Sequence, residues 1–157
     1  MDRILLMDNL LETLQSLDKD LSMRGKVFIA EAAMKQQPQI DLKVEHFFSL
    51  GVYARQLYIP KGVILVGKIH KFPQLNILSQ GDISVLVDEE IKRIKAPFTV
   101  ASPSGVKRIA YAHEDCIWIT IHGTDETNLE TIEKTFIAQD ENEYLEFCGQ
   151  QRLLKAN

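Results

Sequence analysis

The stretch YIPKGVILVGKIHKFPQLNILSQG, from Tyr58 to Gly81, decides the fold that we predict for this chain. It begins with a turn at residues 60–62, because proline fixes φ and glycine tolerates backbone conformations that other residues avoid. The segment Val63–His70 then alternates and is rich in β-branched residues, which predicts one strand that is apolar on both faces over its first half. Lys68 and His70 share one face near its end.

A second short strand, Leu75–Leu78, is predicted after the interruption at Pro73. Gln74 immediately precedes this strand. The hairpin is otherwise apolar, so we expect it to carry the polar group Lys68, His70 and Gln74 inward.

The alternating pattern extends over residues 41–124, where short strands are separated by turn residues at regular spacing. This pattern predicts a mostly β sandwich or barrel. The other predicted strands are Val44–Phe48, Val52–Ile59, Ile83–Asp88, Ile91–Lys95, Phe98–Ala101, Val106–Ala112 and Cys116–His122.

The first forty residues have helical periodicity and are predicted to form an N-terminal helical arm, residues 1–40. Met7, Leu14 and Leu21 recur every seven residues, a spacing typical of an amphipathic helix over Ile4–Leu21. Two interpretations stay open: this helix packs on its own barrel, or it pairs with a neighbouring subunit. Gly25 is its expected end.

A second helix is predicted over Val27–Lys35, ahead of Pro38, because proline disfavours helix in the residue before it.

A C-terminal helical segment is predicted over residues 125–157. Thr127 and Glu130 have the spacing of a capping box at the start of a helix over Asp125–Ala138. A second short helix is expected within residues 140–155. The predicted buried stripe of the first helix consists of Leu129, Ile132, Phe136 and Ile137.

Composition limits the function classes. A net charge of −4 argues against general nucleic-acid binding, which needs a basic surface to displace counterions. Two cysteines, Cys116 and Cys148, do not form a disulfide framework and are expected to be reduced thiols. We find no secretory signal and no apolar run near the roughly 20 residues that a membrane span needs. These features predict a cytoplasmic protein without membrane contact.

The spacing of the polar and glycine positions resembles the first motif of the cupin superfamily, in which a glycine precedes two histidines, a glutamate and a closing glycine. The matching residues are Gly62, Lys68, His70, Gln74 and Gly81, and the segment PSGVKR at residues 103–108 resembles the second motif. The resemblance spans residues 44–122 and implies a double-stranded β-helix, or jelly roll. It also implies a homo-oligomer, a dimer or higher, because cupins commonly associate through their sheets.

A narrower resemblance comes from the phrases GVYARQLYIPKGVILVGKIHK (51–71) and IKAPFTVASPSGVKRIAYAHED (94–115). They are similar to small cupin-like proteins of tailed bacteriophages and prophages. This likeness implies a phage origin and expression in a bacterial host cytoplasm, and it implies no particular activity.

The cupin metal set consists of three histidines and a carboxylate, and only His70 of that set is present. Lys68, Gln74 and Arg108 stand at the other positions, and neither a lysine ammonium nor an arginine guanidinium offers a lone pair to a metal. A metal-dependent enzyme would therefore need a non-standard site at His70, to which His113 and His122 could contribute.

Our first hypothesis is a non-enzymatic binding module without a metal cofactor. Lys68, His70, Gln74 and Arg108 would bind a small anionic ligand, since arginine grips carboxylate or phosphate in a fork. Tyr53 and Arg55, on the strand entering the motif, could stack on it. The alternatives are internal salt bridges with Glu45, Asp82 or Glu114, a divalent-metal enzyme centred on His70, and an oligomeric structural or interaction protein.

Overall fold

The computed structural model describes residue 10 and residues 12–156. The helices are α1 (helical at residues 12–16), α2 (Met23–Met34), α3 (Leu129–Phe136) and α4 (Glu141–Ala156). The strands are β1 (Val44–Ser49), β2 (Val52–Ile59), β3 (Ile64–Val66), β4 (Ile69–His70), β5 (Gln74–Gln80), β6 (Asp82–Val87), β7 (Glu90–Lys95), β8 (Phe98–Ser102), β9 (Ile109–Ala112), β10 (Cys116–Gly123) and β11 (Ile137–Ala138).

The strands form two larger antiparallel sheets. One sheet has the order β1-β2-β10-β5-β8 and the other has the order β3-β9-β6-β7. If β2, β3 and β5 to β10 are counted as eight successive strands, the two orders become 1-8-3-6 and 2-7-4-5. This arrangement is a jelly roll built from two Greek keys. The predicted fold class, a mostly β double-stranded β-helix with helices towards both ends, is confirmed.

The barrel core lies between the two sheets, where the alternating residues of facing strands meet. Such packing is expected because successive side chains of a strand point to opposite faces. The buried members of this cluster are Leu57, Ile59, Leu78, Ile83, Val85, Ala110, Ala112 and Cys116.

The predicted single strand Val63–His70 is wrong, because the chain changes partners in its middle. β3 pairs with β9, whereas β4 leaves that sheet and pairs with β11 after the C-terminal helix α3. Gly67 lies at the break, where its N–H donates to the carbonyl of Arg108 at 2.9 Å. The pairing partner of β4 lies more than sixty residues further along the chain, so local periodicity could not reveal it.

The described part of α1 packs on its own barrel, the first of the two interpretations. Leu14 is 1% exposed and lies with Val27 against Leu86, Ile109 and Tyr111, on the outer face of the four-stranded sheet. Met7, like the rest of residues 1–9, lies outside the described residues.

The expected helix end at Gly25 is wrong, since Gly25 lies inside α2. The side chain of Ser22 accepts a hydrogen bond from the Gly25 N–H at 3.0 Å and caps this helix, which begins at Met23, four residues before the predicted start at Val27. A second contact fixes α2: the buried Lys107 ammonium lies 3.0 Å from the Glu31 carboxylate.

Helix α3 is shorter than predicted, and Asn128 replaces Thr127 as its N-cap. The Asn128 side chain accepts from the Thr131 N–H at 3.0 Å. The helix ends at Phe136 because Ile137 is extended and pairs with His70. Within the predicted stripe, Leu129 is exposed and Ile137 is half-buried, whereas Ile132 and Phe136 are buried as expected.

Within the described part of the chain, no helix combines the length and the apolar character that a membrane crossing requires. The predicted domain boundaries, the cytoplasmic location and the homo-oligomer stay predictions.

Gly81 and Gly51 offer a matched test of the turns. Both have positive φ, +96° and +72°, but a Cβ on Gly81 would lie 2.5 Å from the Asp115 carbonyl oxygen, whereas a Cβ on Gly51 meets nothing within 4 Å. We expect Gly81→Ala to lower the free energy of unfolding by about 2–5 kcal/mol and Gly51→Ala by about 1–2 kcal/mol. Urea denaturation measures both, and equal losses would contradict the assigned close packing at Gly81.

Candidate functional site

A cavity of about 630 Å³ lies between the two sheets, next to α3. Its volume is within the roughly 300–1,000 Å³ range of small-molecule sites. The structure brings all six predicted site residues to its wall: Tyr53, Arg55, Lys68, His70, Gln74 and Arg108. Their role in binding stays a prediction.

The wall of the cavity has two chemically different parts. We call the first the polar end, whose residues are Tyr53, Arg55, His70, Gln74, Asn76, Arg108, Thr120 and His122. We call the second the apolar end, whose residues are Leu57, Ile59, Leu65, Ile83, Val85 and Ala110.

Two imidazoles meet in the polar end. His70 Nδ1 lies 3.0 Å from His122 Nε2, and the two rings stack with centroids 5.1 Å apart. Burial lowers the pKa of His70 to about 3, helped by the nearby His122, Arg108, Arg55 and Lys68, and burial lowers the pKa of His122 to about 4. Both rings are therefore neutral at pH 7, and one donates its N–H to the lone pair of the other.

A chain of hydrogen bonds through neutral side chains fixes Arg108. Its Nη2 donates to Ser102 Oγ at 2.8 Å, and the same oxygen accepts from Asn76 Nδ2 at 2.8 Å. Asn76 Oδ1 in turn accepts from Thr120 Oγ1 at 2.8 Å and from Trp118 Nε1 at 3.2 Å. Burial lowers the pKa of Arg108, yet an arginine stays charged at neutral pH. The polar end thus holds a partly buried, oriented cation.

The two arginines of the cavity are not neutralised by contact. Among residues 10 and 12–156, neither Arg55 nor Arg108 has a carboxylate within salt-bridge distance. Two buried polar atoms in the same region, Gln74 Oε1 and His122 Nδ1, also lack a hydrogen-bond partner within the described residues.

Lys68 differs from the expected position. Its side chain is 54% exposed at the rim of the cavity and pairs with Glu133 of α3. The inward orientation predicted for Lys68 is therefore wrong in part, because the break between β3 and β4 moves it outward.

The predicted carboxylate partners Glu45, Asp82 and Glu114 are wrong for this cluster. Glu45 binds Tyr58 and Lys43, and Asp82 binds Arg93.

Tyr53 lies inside the polar end and its hydroxyl lies 2.8 Å from His46 Nδ1. His46, Asn76 and Thr120 line the site without having been singled out as ligands, whereas His122 had been named only as a possible metal ligand. The period-2 alternation of β5 and β10 could have identified Asn76 and Thr120, since they face the same side as Gln74 and Trp118.

The residues present do not fit a divalent metal ion. His70 and His122 are bonded to each other, and His113 lies elsewhere, with Nε2 2.7 Å from Ser84 Oγ. Within the residues that the structure describes, no group of three or more His, Cys, Asp or Glu side chains is arranged to hold a metal. Nearby cations further disfavour one.

No protein-family profile and no curated protein matches the chain. Solved structures similar to it include an RmlC-like cupin from Shewanella frigidimarina NCIMB 400, with 22% identity, 64% of this chain and 79% of that chain covered, and a TM-score of 0.45. An RmlC-like cupin family protein with a double-stranded β-helix fold from Methanocaldococcus jannaschii has 17% identity, coverage of 54% and 82%, and a TM-score of 0.45. KdgF from Halomonas sp. has 16% identity, coverage of 55% and 87%, and a TM-score of 0.45.

At these identities the likeness concerns the fold alone and says nothing about activity. The phage origin stays a prediction from the sequence.

The histidine pair predicts a pH-dependent stability. The pKa of His70 is lower in the folded state, about 3, than the usual 6.5, so the unfolded chain binds more protons between these values and stability falls as pH drops below about 6.5. From pH 7 to pH 5 we expect His70 to account for a loss on the order of 1–2 kcal/mol. His70→Gln should reduce this loss, measured by urea denaturation at both pH values.

His113→Gln is the control, because His113 is less buried than His70 and lies outside the cavity. An unchanged pH dependence in His70→Gln would contradict the neutral buried pair.

Proposed function

We propose that this protein is a non-enzymatic binding module that holds a small anionic ligand in the polar end of its barrel. The observation that carries the proposal is Arg108, a partly buried guanidinium held in place by Ser102 with no carboxylate in contact among the described residues. Withdrawing a charge from water without a partner costs free energy, so such a site gains free energy from an anion that supplies the missing partner.

The charges around the cavity support the same reading. Its lining includes three cationic side chains, those of Arg55, Lys68 and Arg108, and two carboxylates, those of Asp41 and Glu133. Glu133 pairs with Lys68 at the rim, which leaves the two arginines available to a ligand. The charges of all three cations lower the pKa of His70. Their positive potential therefore acts on the polar end, where the hydrogen-bonding groups of the cavity lie.

The geometry also favours a forked anion. The Nη2 atom of Arg108 is directed by Ser102, and the remaining guanidinium N–H groups can donate to two oxygens of one carboxylate or phosphate. The neutral His70 and His122 pair adds polar atoms without adding a second buried charge.

Arg108→Gln tests this proposal. The amide keeps polarity but removes the charge and the fork, so we expect anion affinity to fall about 10- to 100-fold, the range for a charge-assisted hydrogen bond. Isothermal titration calorimetry with acetate, benzoate, inorganic phosphate and adenosine monophosphate measures it. Arg152→Gln is the control, since Arg152 is exposed on α4 and does not line the cavity. If no anion binds, or if both variants bind alike, the proposal fails.

Glu133→Gln tests the electrostatics from the opposite direction. Removing this carboxylate frees the charge of Lys68 at the rim, and we expect anion affinity to rise about two- to fivefold at low salt. Glu130→Gln on the same helix is the matched control, because Glu130 pairs with Lys134 and does not line the cavity. The gain should shrink in 0.5 M NaCl, and weaker binding in Glu133→Gln would count against the charge arrangement.

A further inference from the structure

We infer that the ligand is an amphipathic carboxylic acid, with its carboxylate against Arg108 and an aliphatic or aromatic body in the apolar end. This inference rests on the proposed function and names the class of molecule that the same cavity accepts. It follows from the order in which residues line the barrel from one end to the other.

The five-stranded sheet changes from polar to apolar at one level. On β2 the inward residues Arg55 and Leu57 are successive, and on β10 their paired partners are Thr120 and Trp118. Each strand is therefore polar up to this level and apolar beyond it. Because the two paired strands change from polar to apolar at the same level, this change divides the cavity itself into two ends.

The neighbouring strand β5 changes at the same level. Asn76 pairs with Thr120 and faces the cavity in the polar end, whereas Leu78 pairs with Trp118 and lies in the barrel core. The three adjacent strands β2, β10 and β5 therefore change from polar to apolar residues at the same level.

The opposite sheet follows the same order. Arg108 precedes Ala110, and Ala110 pairs with Val85 on β6 and with Leu65 on β3. All three of these paired residues are apolar and line the cavity. One end of the space is thus surrounded by aliphatic groups from both sheets, while its other end contains the cation.

The depth suits a ligand with a body of several carbon atoms. From Arg55 to Ile59 the strand advances four residues, about 13 Å at 3.3–3.4 Å per residue. A strongly hydroxylated anion of this length would place its hydroxyl groups against Leu57, Val85 and Ala110, where they would lose hydrogen bonds with water and gain none. An apolar body there is stabilised by leaving water.

The charge balance favours a monoanion. The described lining has one more cationic side chain than carboxylates, so a single carboxylate neutralises it. A planar carboxylate also matches the fork that Arg108 presents.

A chain-length series tests the inference on the unmodified protein. Acetate, butyrate, hexanoate and octanoate are titrated while the fluorescence of Trp118, the single tryptophan of the chain, is recorded, since this residue lines the cavity at the boundary between its ends. We expect the dissociation constant to fall about fourfold for each methylene group until the apolar end is filled. Arg108→Gln should weaken every member of the series by the same factor.

Ala110→Leu provides a second test, because the larger side chain occupies the apolar end. It should weaken octanoate at least about tenfold and leave acetate and butyrate unchanged, whereas Ala54→Leu, on a β2 position that does not line the cavity, should change neither. If Ala110→Leu fails to fold, the chain-length series in the unmodified protein still tests the inference.

The outcomes separate the inference from the proposed function. Affinity that depends on Arg108 but not on chain length overturns the amphipathic ligand and leaves anion binding in place. Binding of inorganic phosphate or adenosine monophosphate without binding of any carboxylate overturns the ligand class. Absence of binding by every anion overturns both.

Discussion

The apolar contact between the two sheets is the interaction on which this barrel depends. Leu57, Ile83, Val85 and Ala110 face one another there from opposite sheets and give one half of the space between the sheets an apolar wall. The other half differs, because its inward positions carry hydrogen-bonding and charged groups. The jelly roll therefore encloses one cavity with an apolar end and a polar end, and the polar end contains the groups that can bind a charge.

Helix α3 supplies apolar packing beside the polar end of the cavity. Phe136 lies against the ring of His122 at 4.4 Å between centroids, and Ile132 and Phe136 cluster with Tyr53. The same helix supplies Glu133 to Lys68. The C-terminal segment is thus part of the wall of the site, and the short pairing of β11 with His70 joins it to the barrel.

Much of the barrel could be predicted from the chain because it depends on local signals. Their residue pattern and the turn residues at their ends place β2, β6 and β10 within one residue of their observed bounds. The six candidate residues line one cavity because every second side chain of a barrel strand points inward, and this holds on each of the strands that carry or adjoin them.

The errors occur where the structure depends on distant partners. The break at Gly67, the pairing of Lys68 with Glu133 and the meeting of His70 with His122 join segments more than forty residues apart. A periodic pattern carries no information about such pairs.

The position of β10 between β2 and β5 has a consequence for how the chain folds. Its residues pair with Ile59 at one end and Val52 at the other, across more than fifty intervening residues. Pairings of such long range must close a large loop before they gain any free energy, so barrels of this kind form slowly. During synthesis β2 has emerged and waits with an unpaired edge until residue 123 has left the ribosome. During this interval the edge of β2 that will later pair with β10 is free, and a free strand edge can pair with another chain.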